Sequence, residues 1–400
     1  MKIAHVCTGR HPSPVHLGGG DVRRWQNLRS LKALGHQVHV LVCNPMDEPT
    51  LALREFANSV TAVHARPTKA WSPRKWIARG LNPETVELAL PNLFGLATHA
   101  EQWLQRLDPD LVWAEGARAV LLCSEHWPVV HSHHDFMFKL RPVRKATFAS
   151  RIRRPDALSL RALEKLELDV CRRAAFNVCV SASEAEQIGG LGARALYLPI
   201  VGENTASPDF GQLSPGRMLL FGNPNTAMRA ARSNLQNEIW PLIERQPFPF
   251  EWHQIGKEPR VGADPSWSFI KQNFTIHGYL PNLGEVMRPG DASIMPYPFD
   301  TGGRAKFGIC AGYGVVNIGY EETFRCAREF SHGENCLAAK TASHFVELIT
   351  EYCSDEALRL RLARGSRATY EAHYTLESQL HHYERVIEQA SNPLVRSATS

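Results

Sequence analysis

The sequence lacks several features that would place it in a familiar class. No stretch approaches the roughly 20 uninterrupted apolar residues of a membrane-spanning helix, and no repeat of solenoid period is present. The nine cysteines include no C-x-x-C pair, and Cys7, Cys43 and Cys179 fall in predicted strands. This pattern is typical of reduced, buried thiols rather than of a disulfide framework or a zinc site. The first residues turn charged and glycine-rich too soon for a signal peptide, so we expect a cytoplasmic protein.

The charge is modest in total but uneven along the chain. A net charge of +5 over 400 residues, without a recognisable RNA-binding motif, predicts no nucleic-acid partner. Residues 139–173 contain 11 basic and 4 acidic residues, and residues 66–80 interleave two tryptophans with five cations. Such stretches suit either solvated helical faces or contact with an anionic membrane. The second interpretation predicts a peripheral protein at the inner face of the membrane.

Two series of alternating strands and helices divide the chain. Each begins with an apolar run of strand length, and helices with apolar residues at helical spacing follow, which predicts parallel, doubly wound α/β units. We predict an N-terminal Rossmann-like domain over 1–200, a Gly-, Pro- and Ser-rich linker over 201–216, and a C-terminal Rossmann-like domain over 217–374. The last helix, 375–391, is expected to complete the first domain. Ligands of such folds bind in a cleft at the carboxyl ends of the strands.

The segment 291–319 carries the strongest local signal. It contains an apolar strand DASIMPYP, a glycine turn TGGRAK, a helix FGICAGYG and a second strand VVNIG. A strand, a glycine-rich turn and a helix N-terminus form an anion site, because free backbone N–H groups and the positive helix end point at the ligand. Arg304 and Lys306 lie at its mouth, where a diphosphate would need neutralising. The alternative is a solvated basic turn.

Several ordered segments resemble one known family. The opening strand with its Gly-Gly-Gly loop, the strand ending HSHHD, VCVSASEAEQI, GNPNTAMRAARSNLQNEIWPLIE and HGYLPNLGEVMRPGDASIMPY are similar to segments of the GT-B glycosyltransferases, in particular the retaining family 4 (glycosyl transferases group 1). The resemblance covers almost the whole chain. It implies two Rossmann-like doubly wound domains that face each other across a cleft. It also implies a hexosyltransferase-like enzyme that moves a sugar from a nucleoside-diphosphate sugar to a glycan or lipid-linked acceptor, in cell-surface polysaccharide or glycolipid biosynthesis.

The resemblance implies the site residues as well. Lys306 and Arg304 would stabilise the leaving diphosphate, while His134, with Asp135 beside it, would lie near the donor sugar. The other donor-binding residues would be Gly18, Gly19, Gly20, Gly222, Asn223, Asp300, Thr301, Gly302, Gly303, Glu321 and Glu322. Fixed cations would replace magnesium, so we expect no metal and no other cofactor. A metal site in HSHHD is not expected either, because alternate strand residues point to opposite faces and separate His134 from His131 and His133.

The sequence also departs from the family pattern. Ile309 stands where the family usually has a glutamate that holds the donor ribose, and Thr301 stands where it has a second glutamate. The phosphate-binding arginine of the second domain has only Arg229 and Arg232 as candidates, at a changed spacing. Isoleucine accepts no hydrogen bond, so ribose binding would move to the two glutamates after the next strand. The alternative function is a GT-B protein without sugar transfer (a binding or partner subunit) or a related nucleotide-sugar enzyme.

Overall fold

The computed structural model describes residues 1–14, 19–64, 95–140, 157–202, 205–245, 251–260, 262–300 and 302–392. Gly18, Thr301, residues 66–80 and residues 141–156 therefore lie outside the described residues. Two compact units divide the chain. The first holds the described residues up to Lys139, those from Ala157 to Leu198 and those from Gln379 on, and the second holds the described residues between Pro199 and Ser378.

Seven parallel strands form the sheet of the first unit. They are β1 Lys2–Thr8, β2 Gln37–Cys43, β3 Ser59–Val63, β4 Leu111–Glu115, β5 Val129–His133, β6 Phe176–Cys179 and β7 Ala195–Tyr197, in the spatial order β3-β2-β1-β4-β5-β6-β7. Every residue of β4 and β5 is buried, as expected for strands covered by helices on both faces. The strand order reverses between β1 and β4, which makes the sheet doubly wound.

Helices connect these strands and cover the sheet. The crossovers contain α1 Gly19–Ala33, α2 Leu51–Phe56, α3 Leu96–Leu107, α4 Ala117–Leu122, α5 Ala157–Arg173 and α6 Ala182–Gly190. The sequence assigned all three glycines of the Gly-Gly-Gly motif to a loop, and this was wrong for two of them. Gly19 and Gly20 form the first turn of α1. The first N–H groups of a helix have no intrahelical partner, and glycine destabilises this first turn less than it destabilises a helix interior.

Six parallel strands form the sheet of the second unit. They are β8 Met218–Phe221, β9 Trp252–Ile255, β10 Thr275–Gly278, β11 Ala292–Met295, β12 Val316–Tyr320 and β13 Cys336–Ala339, in the order β10-β9-β8-β11-β12-β13. The strand order reverses between β8 and β11. The fold class predicted from the sequence, two Rossmann-like doubly wound α/β domains, is therefore confirmed.

The helices of the second unit and the chain end follow the sequence periodicity with one deviation. They are α7 Thr226–Asn234, α8 Trp240–Ile243, α9 Trp267–Asn273, α10 Ala305–Gly312, α11 Glu321–Phe324, α12 Ala342–Ser354, α13 Glu356–His373 and α14 Leu376–Ser391. Between α7 and α8 the segment contains a π-helical turn, Leu235–Ile239, before Pro241. Proline has no N–H to donate, and a wider turn accommodates that missing bond.

The core of each unit explains why these elements stay together. In the first unit, Trp113 of β4 stacks on Tyr383 of α14 with ring centroids 5.4 Å apart. In the second, a Cβ added at Gly308 of α10 would lie 2.2 Å from the ring of Tyr374, so this glycine lets the ring pack on the helix backbone. All nine cysteines are free and buried. Among the described residues, no helix combines the length and apolar composition that crossing a bilayer requires.

Candidate active site

The turn between β11 and α10 is the segment for which the sequence predicts an anion site. Arg304 is the N-cap residue of α10, and its side chain makes no capping hydrogen bond. The first backbone N–H groups of a helix have no intrahelical acceptor and carry the positive end of the helix dipole. Gly302 and Gly303 immediately precede this cap. The local arrangement is therefore the strand, glycine turn and helix N-terminus that the sequence predicts.

Lys306 is held in the first turn of α10 by neutral groups. Its Nζ donates to Tyr297 Oη at 2.5 Å and lies 2.6 Å from Met228 Sδ. Among the described residues, no carboxylate oxygen lies within 4.0 Å, the limit for an ion pair, of a side-chain nitrogen of Lys306 or Arg304. Burial lowers the pKa of Lys306, and contact with Tyr297 opposes that shift. A half-buried cation without a carboxylate partner is suited to an anionic ligand.

Glycine at position 222 makes room for this lysine. Gly222 follows β8 with φ of +145°, and a Cβ there would lie 2.5 Å from Lys306 Nζ. The next residue, Asn223, accepts a hydrogen bond from the backbone N–H of Lys257 at 3.0 Å. The structure thus brings the predicted residues Gly222 and Lys306 together, while the Asn223 side chain fixes the neighbouring loop.

Arg304 lies over aromatic rings. Its guanidinium carbon is 4.2 Å from the ring centroid of Tyr297, and Nη2 donates to the Phe299 carbonyl at 3.2 Å. Its Nε is buried and has no hydrogen-bond partner among the described residues. This stacking holds the guanidinium beside Tyr297, the residue that also contacts Lys306.

Two adjacent strands direct further predicted residues to the same sheet edge. Asp300 lies in the turn after β11, and Glu321 and Glu322 begin α11 directly after β12. Because β11 and β12 are parallel neighbours, their carboxyl ends share one edge. Glu321 is exposed and Glu322 half-buried. Ile309 is also half-buried, one turn after Lys306 on α10.

Of the two arginines offered for phosphate binding at a changed spacing, one lies in the core. Arg232 of α7 is fully buried, and its Nη1 donates to Asp264 Oδ2 at 2.9 Å. It also lies over the Trp267 ring at 5.0 Å. A buried arginine that is neutralised by aspartate holds the core together and is not available to a ligand. Arg229, the other candidate, is half-buried.

In the first unit, the predicted His134 follows β5 and is one-fifth exposed. Its Nε2 lies 2.9 Å from Glu115 Oε2, and a Cβ added at Gly20 would lie 3.2 Å from its Nδ1. Burial lowers the pKa of His134, and the hydrogen bond to Glu115 opposes that shift. A carboxylate only accepts, so Nε2 carries the proton and Nδ1 presents a lone pair beside α1.

Glu115 is the central residue that the sequence did not single out. It closes β4 with 2% exposure, and its Oε1 accepts from His5 Nε2 and Asn27 Nδ2, both at 2.7 Å. Burial alone would raise the pKa of Glu115, but hydrogen bonds from His134 and His5 hold it well below the ordinary value. The available signal was a lone carboxylate ending the apolar strand LVWAE. The predicted Asp135, which follows His134 in the sequence, is half-buried.

Comparison with known proteins identifies the type of enzyme. Residues 17–196, just under half of the chain, match the family model for Glycosyltransferase Family 4. The chain is a glycosyltransferase of the GT-B type. No curated protein matches this glycosyltransferase by sequence.

Solved structures extend the fold comparison to the whole glycosyltransferase. Sucrose-phosphate synthase from Thermosynechococcus elongatus has a TM-score of 0.66 at 14% identity, covering 96% of this chain and 98% of that one. Anabaena HepE in complex with UDP has a TM-score of 0.66 at 11% identity, with 97% and 100% covered. TarM from S. aureus, in complex with Fondaparinux, alpha-GlcNAc-glycerol and UDP, has a TM-score of 0.65 at 8% identity, with 97% and 100% covered. At these identities the likeness establishes the fold.

Proposed function

We propose that this glycosyltransferase binds the diphosphate of a nucleoside-diphosphate sugar at the turn before α10 and transfers the sugar to a glycan or lipid-linked acceptor. The observation that carries the proposal is Lys306, a half-buried ammonium in the first helical turn with no carboxylate partner among the described residues. The UDP bound to HepE and to TarM supports a donor of this class.

The chemistry requires stabilisation of a departing diphosphate. As the anomeric C–O bond breaks, positive charge develops on the sugar ring and negative charge on the leaving group. Lys306, Arg304 and the N–H groups of α10 would act on that negative charge, and interactions that strengthen in the transition state raise the rate. We propose that these fixed cations make catalysis independent of metal. Retention of the anomeric configuration is proposed on the family resemblance.

His134 supplies a neutral hydrogen-bonding group to the reaction. With Nε2 donating to Glu115, Nδ1 is free to accept a hydrogen bond from a sugar hydroxyl. Gly19 and Gly20 would keep the neighbouring helix end close to the ligand, and Asp135 would shape the loop. Donor ribose hydroxyls would be held by Glu321 or Glu322, since Ile309 cannot accept a hydrogen bond.

Membrane attachment belongs to the same proposal. The described part of residues 139–173 is mainly α5, which carries both charge signs and an Arg172–Asp169 pair at 3.0 Å. The basic excess therefore lies mostly in 141–156, and together with 66–80 it lies outside the described residues. Flotation with anionic liposomes at low salt tests this membrane contact. Protein that stays at the bottom of the gradient would contradict it.

A donor screen tests the proposed reaction. Purified protein is incubated with UDP- and GDP-linked sugars, and melting temperature and nucleotide release are measured with and without added Mg²⁺ or Mn²⁺. We expect one donor to raise the melting temperature and to be hydrolysed slowly at a rate that added metal does not change. NMR of the released or transferred sugar reports the anomeric configuration.

Lys306→Ala is the decisive variant. Loss of one preorganised cation at the leaving group should lower turnover by about 10²- to 10³-fold without unfolding the protein. Lys271→Ala is the matched control, since Lys271 is an exposed lysine of the same unit and is paired with Glu258 at 3.2 Å. Retained activity in Lys306→Ala would remove this lysine from the site. A screen in which no nucleotide sugar stabilises the protein would refute the donor class, whereas binding without turnover would favour a binding subunit, as Ile309 suggests.

A further inference from the structure

A buried group of metal-ligand side chains lies on the opposite face of β5 from His134. His131 and His133 of β5 and Cys171 of α5 each offer a ligand atom, and these three atoms lie within 4.8 Å of one another. The exposures are 1%, 3% and 0%. The sequence separated His134 from the other two histidines correctly, but the thiol 38 to 40 positions further on becomes a neighbour only in the fold.

Hydrogen bonds orient both imidazoles as they would be oriented around a metal. His131 Nδ1 lies 2.9 Å from Asn177 Oδ1. The amide of Asn177 donates to the carbonyls of Cys171 and Arg194, which leaves its oxygen for His131. Nδ1 of His131 therefore carries the proton, and Nε2 has the lone pair. That Nε2 is buried and has no hydrogen-bond partner among the described residues.

His133 is oriented in the same way by a carboxylate. Its Nε2 lies 3.1 Å from Glu184 Oε2, and Glu184 is fully buried. Donation to this acceptor leaves the lone pair on Nδ1 of His133. Metal-binding histidines almost always give their other N–H to a carboxylate, a carbonyl or water, which fixes the ring and raises its basicity. Both histidines of this group have such a partner.

We propose that His131, His133 and Cys171 bind one zinc ion that stabilises the first unit. Two imidazoles and a thiolate are a ligand set that zinc prefers. On binding, the thiol would lose its proton to solvent as the Zn–S bond forms. The resulting thiolate and the Glu184 carboxylate balance the two positive charges of the ion, so that no net charge is buried. This adds a structural ion to a chain for which the sequence predicted none, and it leaves the metal-independent chemistry on the other face of β5 unchanged.

The geometry requires a small contraction. Zn–N bonds of about 2.0 Å and a Zn–S bond of about 2.3 Å in a tetrahedron place ligand atoms about 3.3 to 3.6 Å apart. The present separations of up to 4.8 Å can close through side-chain rotation of Cys171, while the hydrogen bonds to Asn177 and Glu184 hold the two imidazoles. A water would take the fourth position, since Glu184 is engaged by the distal nitrogen of His133. The ion would tie β5 to α5, and a structural zinc site contributes directly to folding free energy.

Metal analysis of the full-length protein tests the proposal. Protein purified under reducing conditions is gel-filtered, and its zinc content is measured by mass spectrometry. It is then unfolded with chelator and refolded with Co²⁺. We expect one zinc per chain and, with Co²⁺, the intense visible bands of a tetrahedral site together with a near-ultraviolet thiolate-to-cobalt band. Wild-type protein that retains no zinc and gives no thiolate band would overturn the proposal.

Paired cysteine variants assign the ligand. Cys171→Ala should lose the thiolate band and at least about tenfold in Co²⁺ affinity. Cys179→Ala removes a second fully buried thiol from the same hydrophobic cluster and should keep both. Equal spectra from the two variants would exclude Cys171 as the ligand. If Cys171→Ala does not fold, His131→Asn is measured instead, with the thiolate band as the readout. Because this variant lacks one imidazole ligand, its affinity for Co²⁺ must be lower than that of the wild type.

Discussion

Removing the acceptor Glu115 should destabilise the first unit strongly, whereas an isosteric amide should be tolerated. Glu115 accepts hydrogen bonds from His5, Asn27 and His134. Asn27 cannot turn its amide around, because Oδ1 accepts from Tyr383 Oη at 2.6 Å while Nδ2 also donates to Ser132. Glu115→Ala therefore leaves donors without an acceptor, and two of them, on His5 and Asn27, are fully buried.

The two substitutions differ in magnitude because they differ in the donors left unpaired. A buried unpaired donor costs about 1 to 3 kcal/mol, so Glu115→Ala should cost about 4 kcal/mol for two donors. In Glu115→Gln the oxygen still accepts from His5 and Asn27, while the new NH₂ faces His134. That ring can move its proton to Nδ1 and accept through Nε2. Glu115→Gln therefore loses only the additional strength that the carboxylate charge gives these hydrogen bonds, about 1 to 2 kcal/mol of stability.

Urea and thermal unfolding of the two variants measure this difference. At about 2 to 4 °C per kcal/mol for a unit of this size, Glu115→Ala should melt about 8 to 16 °C below wild type and Glu115→Gln only a few degrees below. Nitrogen NMR of His134 should show the exchanged tautomer in Glu115→Gln alone. Equal destabilisation by the two variants, or an unchanged tautomer, would refute the hydrogen-bond assignment.

Two further predictions concern the second unit. Gly222→Ala should displace Lys306, because the new Cβ would lie 2.5 Å from Nζ, and should weaken nucleotide binding and turnover. Gly262→Ala, at a positive φ with nothing within 4 Å, is the control and should show only about 1 kcal/mol of backbone strain; equal activities would contradict the contact. His277 is hydrogen-bonded to His253 at 2.8 Å, and burial, then the charge of His253, lowers the pKa of His277. Below pH 6.5 the unfolded chain therefore binds more protons than the folded chain, so the free energy of unfolding should decrease as the pH falls below that value. In urea titrations, His277→Asn should make this decrease smaller.

Local sequence patterns were sufficient to predict the two series of strands and helices and the glycine turn before α10. The spacing of TGGRAKFGICAGYG contains the turn, the helix N-terminus and Lys306 within one continuous stretch, and the glycines at 308 and 312 indicate close packing. A prediction from such a stretch depends only on local backbone preferences. The same reasoning failed at Gly19 and Gly20, since a glycine run is equally compatible with a loop and with a helix start.

Contacts between distant segments could not be predicted in the same way. Glu115 acquires its role because β4 lies between β1 and β5, which brings His5, Asn27 and His134 around one carboxylate. Arg232 had a suitable charge, although at a changed spacing, and Asp264 neutralises it in the core. In both cases the partner lies 19 or more positions away, and the spatial order of the strands, not residue spacing, determines which side chains meet.

The two units place their candidate residues by one shared arrangement. In the second unit, Gly222 follows the first strand and adjoins Lys306, which follows the neighbouring strand β11. In the first unit, Gly20 lies after the first strand and adjoins His134, which follows β5. Doubly wound sheets bind ligands where the strand order reverses, because the connecting segments diverge there and leave the carboxyl ends open. An added Cβ would lie 2.5 Å from Lys306 Nζ at Gly222 and 3.2 Å from His134 Nδ1 at Gly20, so glycine allows a close approach to the first crossover in both units. The two glycines therefore share one structural role: each lets a side chain that follows a later strand lie against the segment after the first strand of its unit.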